Sequence, residues 1–146
     1  MYSVDELEDR LIDLSFAEDI GDGDHTTLCC IPEDAEGKSR LLIKEDGILA
    51  GVEVAKKVFS RFDNTLKVEV LIQDGTPVKK GDVAMIVTGK VRSLLQTERL
   101  MLYIMQRMSV IATMTNKYVK RLEGTHTRIL DTRKTTPGMR MLEKQA

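Results

Sequence analysis

The chain has 146 residues, enough for one ordinary domain or for a small domain and the start of a second. Its 22 basic residues balance 23 acidic ones, which excludes the overall basic field that drives non-specific nucleic-acid binding, so any anion recognition has to be local. The hydrophobic share of 42% supports a real core; the only cysteines, Cys29 and Cys30, are sequence neighbours that read as reduced thiols, and with only His25 and His126 beside them no Cys/His metal cage is expected.

The acidic N-terminus lacks a basic flank followed by an apolar run, so it does not read as a signal peptide, and no apolar run approaches a membrane span. Ser3 with Glu6 three residues on forms a capping-box pattern, and Leu7, Leu11 and Leu14 lie on one face behind it, predicting a first helix over 4–16. Residues 18–27 read as a polar, turn-rich loop whose order of acidic groups does not fit a calcium loop. From Lys38 the pattern changes to period two or short buried runs. Strands are predicted at 39–44, 47–50, 66–72 and 83–88, punctuated by Glu36-Gly37, Asp46-Gly47, Asp74-Gly75 and Lys80-Gly81. Val54, Val58 and Phe62 recur at helical spacing, which makes 52–62 a helix. This first part is therefore α+β.

Residues 91–122 are strongly helical, with Leu94, Leu95, Met101, Leu102, Met105 and Met108 as an apolar stripe whose methionines read as core filler. So long a helix in so small a domain predicts a break near Met108-Ser109-Val110. Gly124 closes the second piece, and 127–131 reads as the next strand. It runs into Thr132, Arg133, Lys134, Thr135 and Thr136, then into the Pro137-Gly138 turn signal. Two adjacent cations at the carboxyl end of a strand suit an anionic ligand in an α/β fold; a solvated charged turn is the alternative. Arg99, between Gln96 and Tyr103 at helical spacing, reads by itself as a surface residue or a partner for Glu98. The turn from Asp74 to Ala84 resembles that of biotinyl and lipoyl domains, but it lacks their Met-Lys-Met or Asp-Lys-Ala setting and reads as a shared hairpin solution.

Taken together, Glu18-Asp19-Ile20-Gly21-Asp22-Gly23-Asp24-His25-Thr26-Thr27, Gly47-Ile48-Leu49-Ala50-Gly51, Lys80-Gly81-Asp82, Glu98-Arg99-Leu100, the run from Ser109 to Thr113, Asp131 to Gly138, and Leu142-Glu143-Lys144 resemble the quinolinate phosphoribosyltransferases, also called nicotinate-nucleotide pyrophosphorylases (carboxylating). The resemblance implies a hammerhead-like N-terminal α+β domain, an antiparallel sheet with helices, over 1–110. Residues 111–146 would then be the first helix and strand of an α/β barrel, truncated. It implies a homodimeric cytoplasmic glycosyltransferase of NAD biosynthesis that joins quinolinate to phosphoribosyl pyrophosphate, giving nicotinate mononucleotide, pyrophosphate and carbon dioxide. Magnesium escorts the pyrophosphate, and no side-chain nucleophile is needed. By the same resemblance Arg133 binds quinolinate, Lys134 lies between quinolinate and the phosphoribosyl donor, Thr132 orients the strand end, and Arg99 reaches into the neighbouring subunit's site. The residue types suit the task, since guanidinium groups take carboxylates through paired, charge-assisted hydrogen bonds.

Two positions depart from the family pattern: Tyr103 stands where asparagine is usual, and Val110 where glycine is. A valine at a close helix junction would alter packing between the long helix and a barrel. The family's downstream His-Arg pair, further lysine, acidic ribose-binding residues and phosphate loops would lie past Ala146, so the expectation is that this chain does not turn over by itself. Two other readings stay open: the molybdenum-transport-associated relative of the same fold, and a non-catalytic dimerisation or binding module.

Overall fold

The computed structural model describes residues 2–146; Met1, the start of the acidic N-terminal stretch, lies outside them. Helix α1 spans Val4–Ile20 and opens with the expected capping box, in which Ser3 Oγ accepts from the Glu6 amide at 3.2 Å and the Glu6 carboxylate accepts from the Ser3 amide at 2.6 Å. It runs past the predicted end and stops at Gly21. The loop expected over 18–27 is only partly loop, because a short helix α2, His25–Cys30, starts behind Asp24, whose carboxylate caps the Thr27 amide at 3.1 Å.

Strands β1 (Glu36–Leu42), β3 (Lys67–Val70) and β5 (Val83–Lys90) form an antiparallel sheet with β5 in the centre. A second, two-stranded piece pairs β2 (Gly47–Ile48) with β4 (Pro77–Val78). Helix α3, Val52–Phe62, falls where its apolar spacing put it and buries Val54, Ala55, Val58 and Phe59. Gly51 offers its N-terminus no side chain, so the cap comes from elsewhere: Asp74 accepts from the Val52 amide at 2.8 Å. Gly51 itself is left-handed (φ 100), and a Cβ there would sit 3.3 Å from the Met105 backbone. The turn compared above with carrier domains thus serves as the cap of α3.

Helix α4, Val91–Arg121, is continuous, contrary to the expected break at Met108-Ser109-Val110. Nothing between Val91 and Arg121 is Gly or Pro, and Ser109 spends its hydroxyl outward rather than on its own helix. Ser109 Oγ accepts from the Ala50 amide at 3.0 Å and donates to the Ala50 carbonyl at 3.1 Å, while Thr113 Oγ1 accepts from the Ile48 amide at 2.8 Å. Two helix side chains therefore satisfy the Ile48 and Ala50 backbone groups while Leu49 keeps backbone bonds to Thr76 and Gly75, so the strand predicted over 47–50 is regular only at Gly47–Ile48. Val110 is 58% exposed and Tyr103 65%, so within this chain neither packs into the core.

No strand forms over 127–131. Among the described residues none of the five strands pairs with this stretch, Leu130 is 88% exposed, and without a ladder partner an extended segment is only loop. The chain then turns at Pro137-Gly138 (φ 80 at Gly138) as expected and ends in α5, Arg140–Gln145, which the sequence reading left out. Leu142 is buried in the core, and the Gln145 amide donates to Glu8 on α1 at 2.7 Å, so the C-terminal segment is docked rather than free. The fold is thus mixed helix and antiparallel sheet with no closed barrel, and among the described residues no helix is long and apolar enough to cross a membrane.

Replacing Ser109 with alanine leaves both backbone groups of Ala50 unpaired and should lower the unfolding free energy by about 1–3 kcal/mol, read by urea denaturation; an unchanged midpoint would contradict the pinning. Val110→Gly should cost about 0.3–0.5 kcal/mol through helix propensity alone, whereas a gain in thermal stability would support the idea of a crowded junction.

Candidate functional site

Arg99 lies on the groove side of α4, where its Nη1 donates to Asp19 at the end of α1 at 2.7 Å. The guanidinium is mostly exposed, and the single bond leaves the rest of its fork open. Asp24 stands nearby, its carboxyl held below the usual range chiefly by the Thr27 cap bonds, with a smaller contribution from the Arg99 charge. Asp19 thus bonds the arginine expected to reach outward, and Asp24 lies within range of its charge. Leu11, Ser15, Asp19, Arg99, Tyr103 and Val110 help line a groove of about 940 Å³ between α1 and α4. Both departures from the family pattern fall inside this groove.

Thr132, Arg133 and Lys134 follow one another on an exposed loop. Thr132 Oγ1 accepts from the Lys134 amide at 3.1 Å, a local turn that fixes the spacing of the two cations. Among the described residues neither Arg133 nor Lys134 forms an ion pair, so both charges face solvent. Thr132 and Thr135 line a second cavity, of about 950 Å³, between the C-terminal half of α4 and residues 123–146. Arg99 lines the first of these two cavities alone, and Arg133 and Lys134 line neither. Arg107 and Ile111 line both, and Arg107 is the charged one of the two.

Arg107 and Glu143 are the polar pair that sequence reasoning missed. Arg107 Nε donates to Glu143 at 2.8 Å, Nη2 bonds the same carboxylate, and Nη2 also donates to Thr136 Oγ1 at 2.5 Å. The second Glu143 oxygen accepts from the Thr136 amide at 3.1 Å. Glu143 also lies in the run Leu142-Glu143-Lys144, one of the segments that carry the family resemblance. Arg99, Tyr103 and Arg107 recur every four residues, and that row along one side of α4 was the signal for a polar, site-facing edge.

The hydrogen bond from Arg107 holds the Glu143 carboxyl below its usual range, assisted by Thr136 and opposed by burial, and Lys144 does the same for Asp131. Depressed carboxyl groups stabilise the fold above the usual carboxylate range, and the contribution is lost as pH falls through the lowered values. Acidification should therefore release residues 131–146 while β1, β3 and β5 keep their amide dispersion, followed by NMR; a segment that stays docked until the sheet itself melts would contradict this.

The model of the quinolinate phosphoribosyl transferase N-terminal domain matches residues 24–109, and that of the C-terminal domain matches 111–146. The chain is 44% identical over 138 residues to quinolinate phosphoribosyltransferase [decarboxylating] 1b of Nicotiana tabacum, covering 93% of this chain and 39% of that protein. It is 40% identical over 137 residues to a probable nicotinate-nucleotide pyrophosphorylase [carboxylating] of Bacillus subtilis, covering 94% of this chain and 47% of that one. Among solved structures, NadC from Streptococcus pyogenes superposes with a TM-score of 0.91 at 35% identity, covering 99% of this chain and 51% of that chain. The nicotinate-nucleotide pyrophosphorylase from Francisella tularensis does so at 0.90 and 35%, with the same two coverages. The chain spans less than half the length of these curated relatives and about half that of the solved ones. With the two domain models matched in succession over 24–109 and 111–146, the chain belongs to the quinolinate phosphoribosyltransferase family.

Proposed function

We propose that this chain carries the first part of the substrate-binding machinery for joining quinolinate to phosphoribosyl pyrophosphate in NAD biosynthesis, with nicotinate mononucleotide, pyrophosphate and carbon dioxide as products. The observation that carries the reading is the pair Arg133 and Lys134, adjacent, exposed and, among the described residues, without ion-pair partners on a loop held to α4 and α5. Quinolinate brings two carboxylates, and an unpaired guanidinium beside an unpaired ammonium matches one forked and one point-like anion contact. In this reading Arg133 takes a quinolinate carboxylate, Lys134 lies between quinolinate and the donor, and Thr132 sets their spacing through the Lys134 amide.

The chemistry asks mainly for positioning and charge. The pyridine nitrogen attacks the ribosyl carbon as pyrophosphate leaves, positive charge builds on the sugar, and the neighbouring carboxylate is then lost as carbon dioxide because the ribosylated nitrogen accepts its electrons. Magnesium, in this reading, arrives with the pyrophosphate it neutralises.

Arg99 serves a second copy of the chain in this proposal. Its guanidinium is turned into the groove between α1 and α4, away from the cavity that Thr132 lines, which supports a homodimer in which each site borrows one arginine. The setting proposed is cytoplasmic, in keeping with two free, exposed cysteines; relatives from rice and tobacco carry chloroplastic and mitochondrial names.

Calorimetric titration of the chain with quinolinate should show binding that weakens at least about tenfold in Arg133→Ala and in Lys134→Ala, the loss of a charge-assisted contact. A folded wild-type chain that takes up no quinolinate would overturn the assignment.

A further inference from the structure

Three side chains on one face of α5 grip the cationic loop. Arg140 donates to the Arg133 carbonyl at 3.2 Å, Lys144 pairs with Asp131, and Glu143 accepts from the Thr136 amide at 3.1 Å. Leu142, between them in sequence, is buried in the core and fixes the helix that carries them. The grip closes on α4 through Arg107, which donates Nε to Glu143 at 2.8 Å and Nη2 to Thr136 Oγ1 at 2.5 Å. Arg107, Thr136 and Glu143 therefore form a ring that joins α4, the loop and α5.

We propose that Glu143 and Arg107 are positioning residues that set the direction in which Arg133 and Lys134 present their charges; this rests on the reading of the loop as a carboxylate site. The chemistry of the ring distinguishes this role from ligand binding. Arg107 has its Nε and Nη2 donors on Glu143 and Thr136 and its charge offset by a carboxylate that is only 10% exposed, so it is not the free fork that Arg133 is. Glu143 faces donors with both oxygens, Arg107 on one and the Thr136 amide on the other. A glutamine has one acceptor oxygen and would turn its NH2 group against a donor, so Glu143→Gln opens the ring with almost no change of shape. Arg107→Lys keeps the charge and loses the fork, since an ammonium is a point donor.

The test uses the 146-residue chain labelled with nitrogen-15, as wild type, Glu143→Gln and Arg107→Lys, with quinolinate as the probe. In the wild type, backbone order parameters over 132–136 should be near 0.85, the rigid value; in both variants they should fall below about 0.6. The Thr136 amide proton should move upfield, and the amides of β1, β3 and β5 should hold their positions, which separates loop release from unfolding. Quinolinate affinity should drop about tenfold in step. A loop that stays rigid in Glu143→Gln, or one that becomes mobile with affinity unchanged, overturns the proposal. A wild-type chain with a rigid loop and no quinolinate binding instead overturns the carboxylate reading, and the functional half of this proposal falls with it while the order parameters still report on the ring.

Discussion

Leu94, Thr97, Met101, Ile104, Met105, Met108 and Ala112 are buried along one side of α4, and helices α1, α2, α3 and α5 and strands β1, β2 and β5 all pack on that helix. Each large apolar side chain so buried contributes about 1.5–3 kcal/mol relative to exposure. The methionines suit the task because an unbranched, polarisable side chain fills the irregular gap between a sheet and a helix of different curvature. At 1.5 Å per residue the helix is about 46 Å long, long enough to meet the sheet with its first half and the C-terminal segment with its second. Its continuity through Ser109 and Val110 is what gives the chain one frame instead of two.

That frame explains how an irregular segment can hold a defined place. Residues 127–139 have neither a ladder nor a helix of their own to satisfy them, so their position is set by side chains reaching in from regular elements: Arg107 from α4, and Arg140, Glu143 and Lys144 from α5. The same logic appears at the other end of the helix, where Arg92 donates to the Leu28 and Ile31 carbonyls and so closes α2 against α4. It appears again between α1 and α3, where Arg61 forks onto Asp13 at 2.5 and 2.6 Å and Lys57 meets Glu8 and Asp9. Cations projecting from helices onto neighbouring carboxylates and carbonyls are the recurrent joint of this fold. Among the described residues Arg133 and Lys134 take no part in such a joint, which leaves both charges open to an external anion.

What was legible in the sequence was local. The Ser3–Glu6 box, the apolar spacing of α3 and the Gly-containing turns are decided within a few residues, and they fall where the spacing put them. The misses needed information from afar. A strand over 127–131 requires a partner that the pattern of Ile129 and Leu130 cannot supply, and the Ile48 and Ala50 amides are taken by Thr113 and Ser109, some sixty residues on. The supposed break in α4 came from treating length as a liability, when the surfaces packed on it carry the length. At the site, Arg133 and Lys134 were visible as a pair of charges, whereas the Arg107–Thr136–Glu143 ring links three positions that no short-range rule brings together. Tyr103 and Val110 were visible as departures from a pattern, but only the groove shows that both border Arg99.

A crystal structure of the chain with quinolinate bound tests the central claim most directly, because it asks which arginines the carboxylates choose. The account predicts quinolinate on the Thr132–Lys134 loop, a carboxylate forked by Arg133, Arg107 still closed on Glu143, and Arg99 of a second copy turned to the same ligand. Quinolinate seated in the α1–α4 groove on Arg99 of the same chain, or held by an Arg107 released from Glu143, would contradict it.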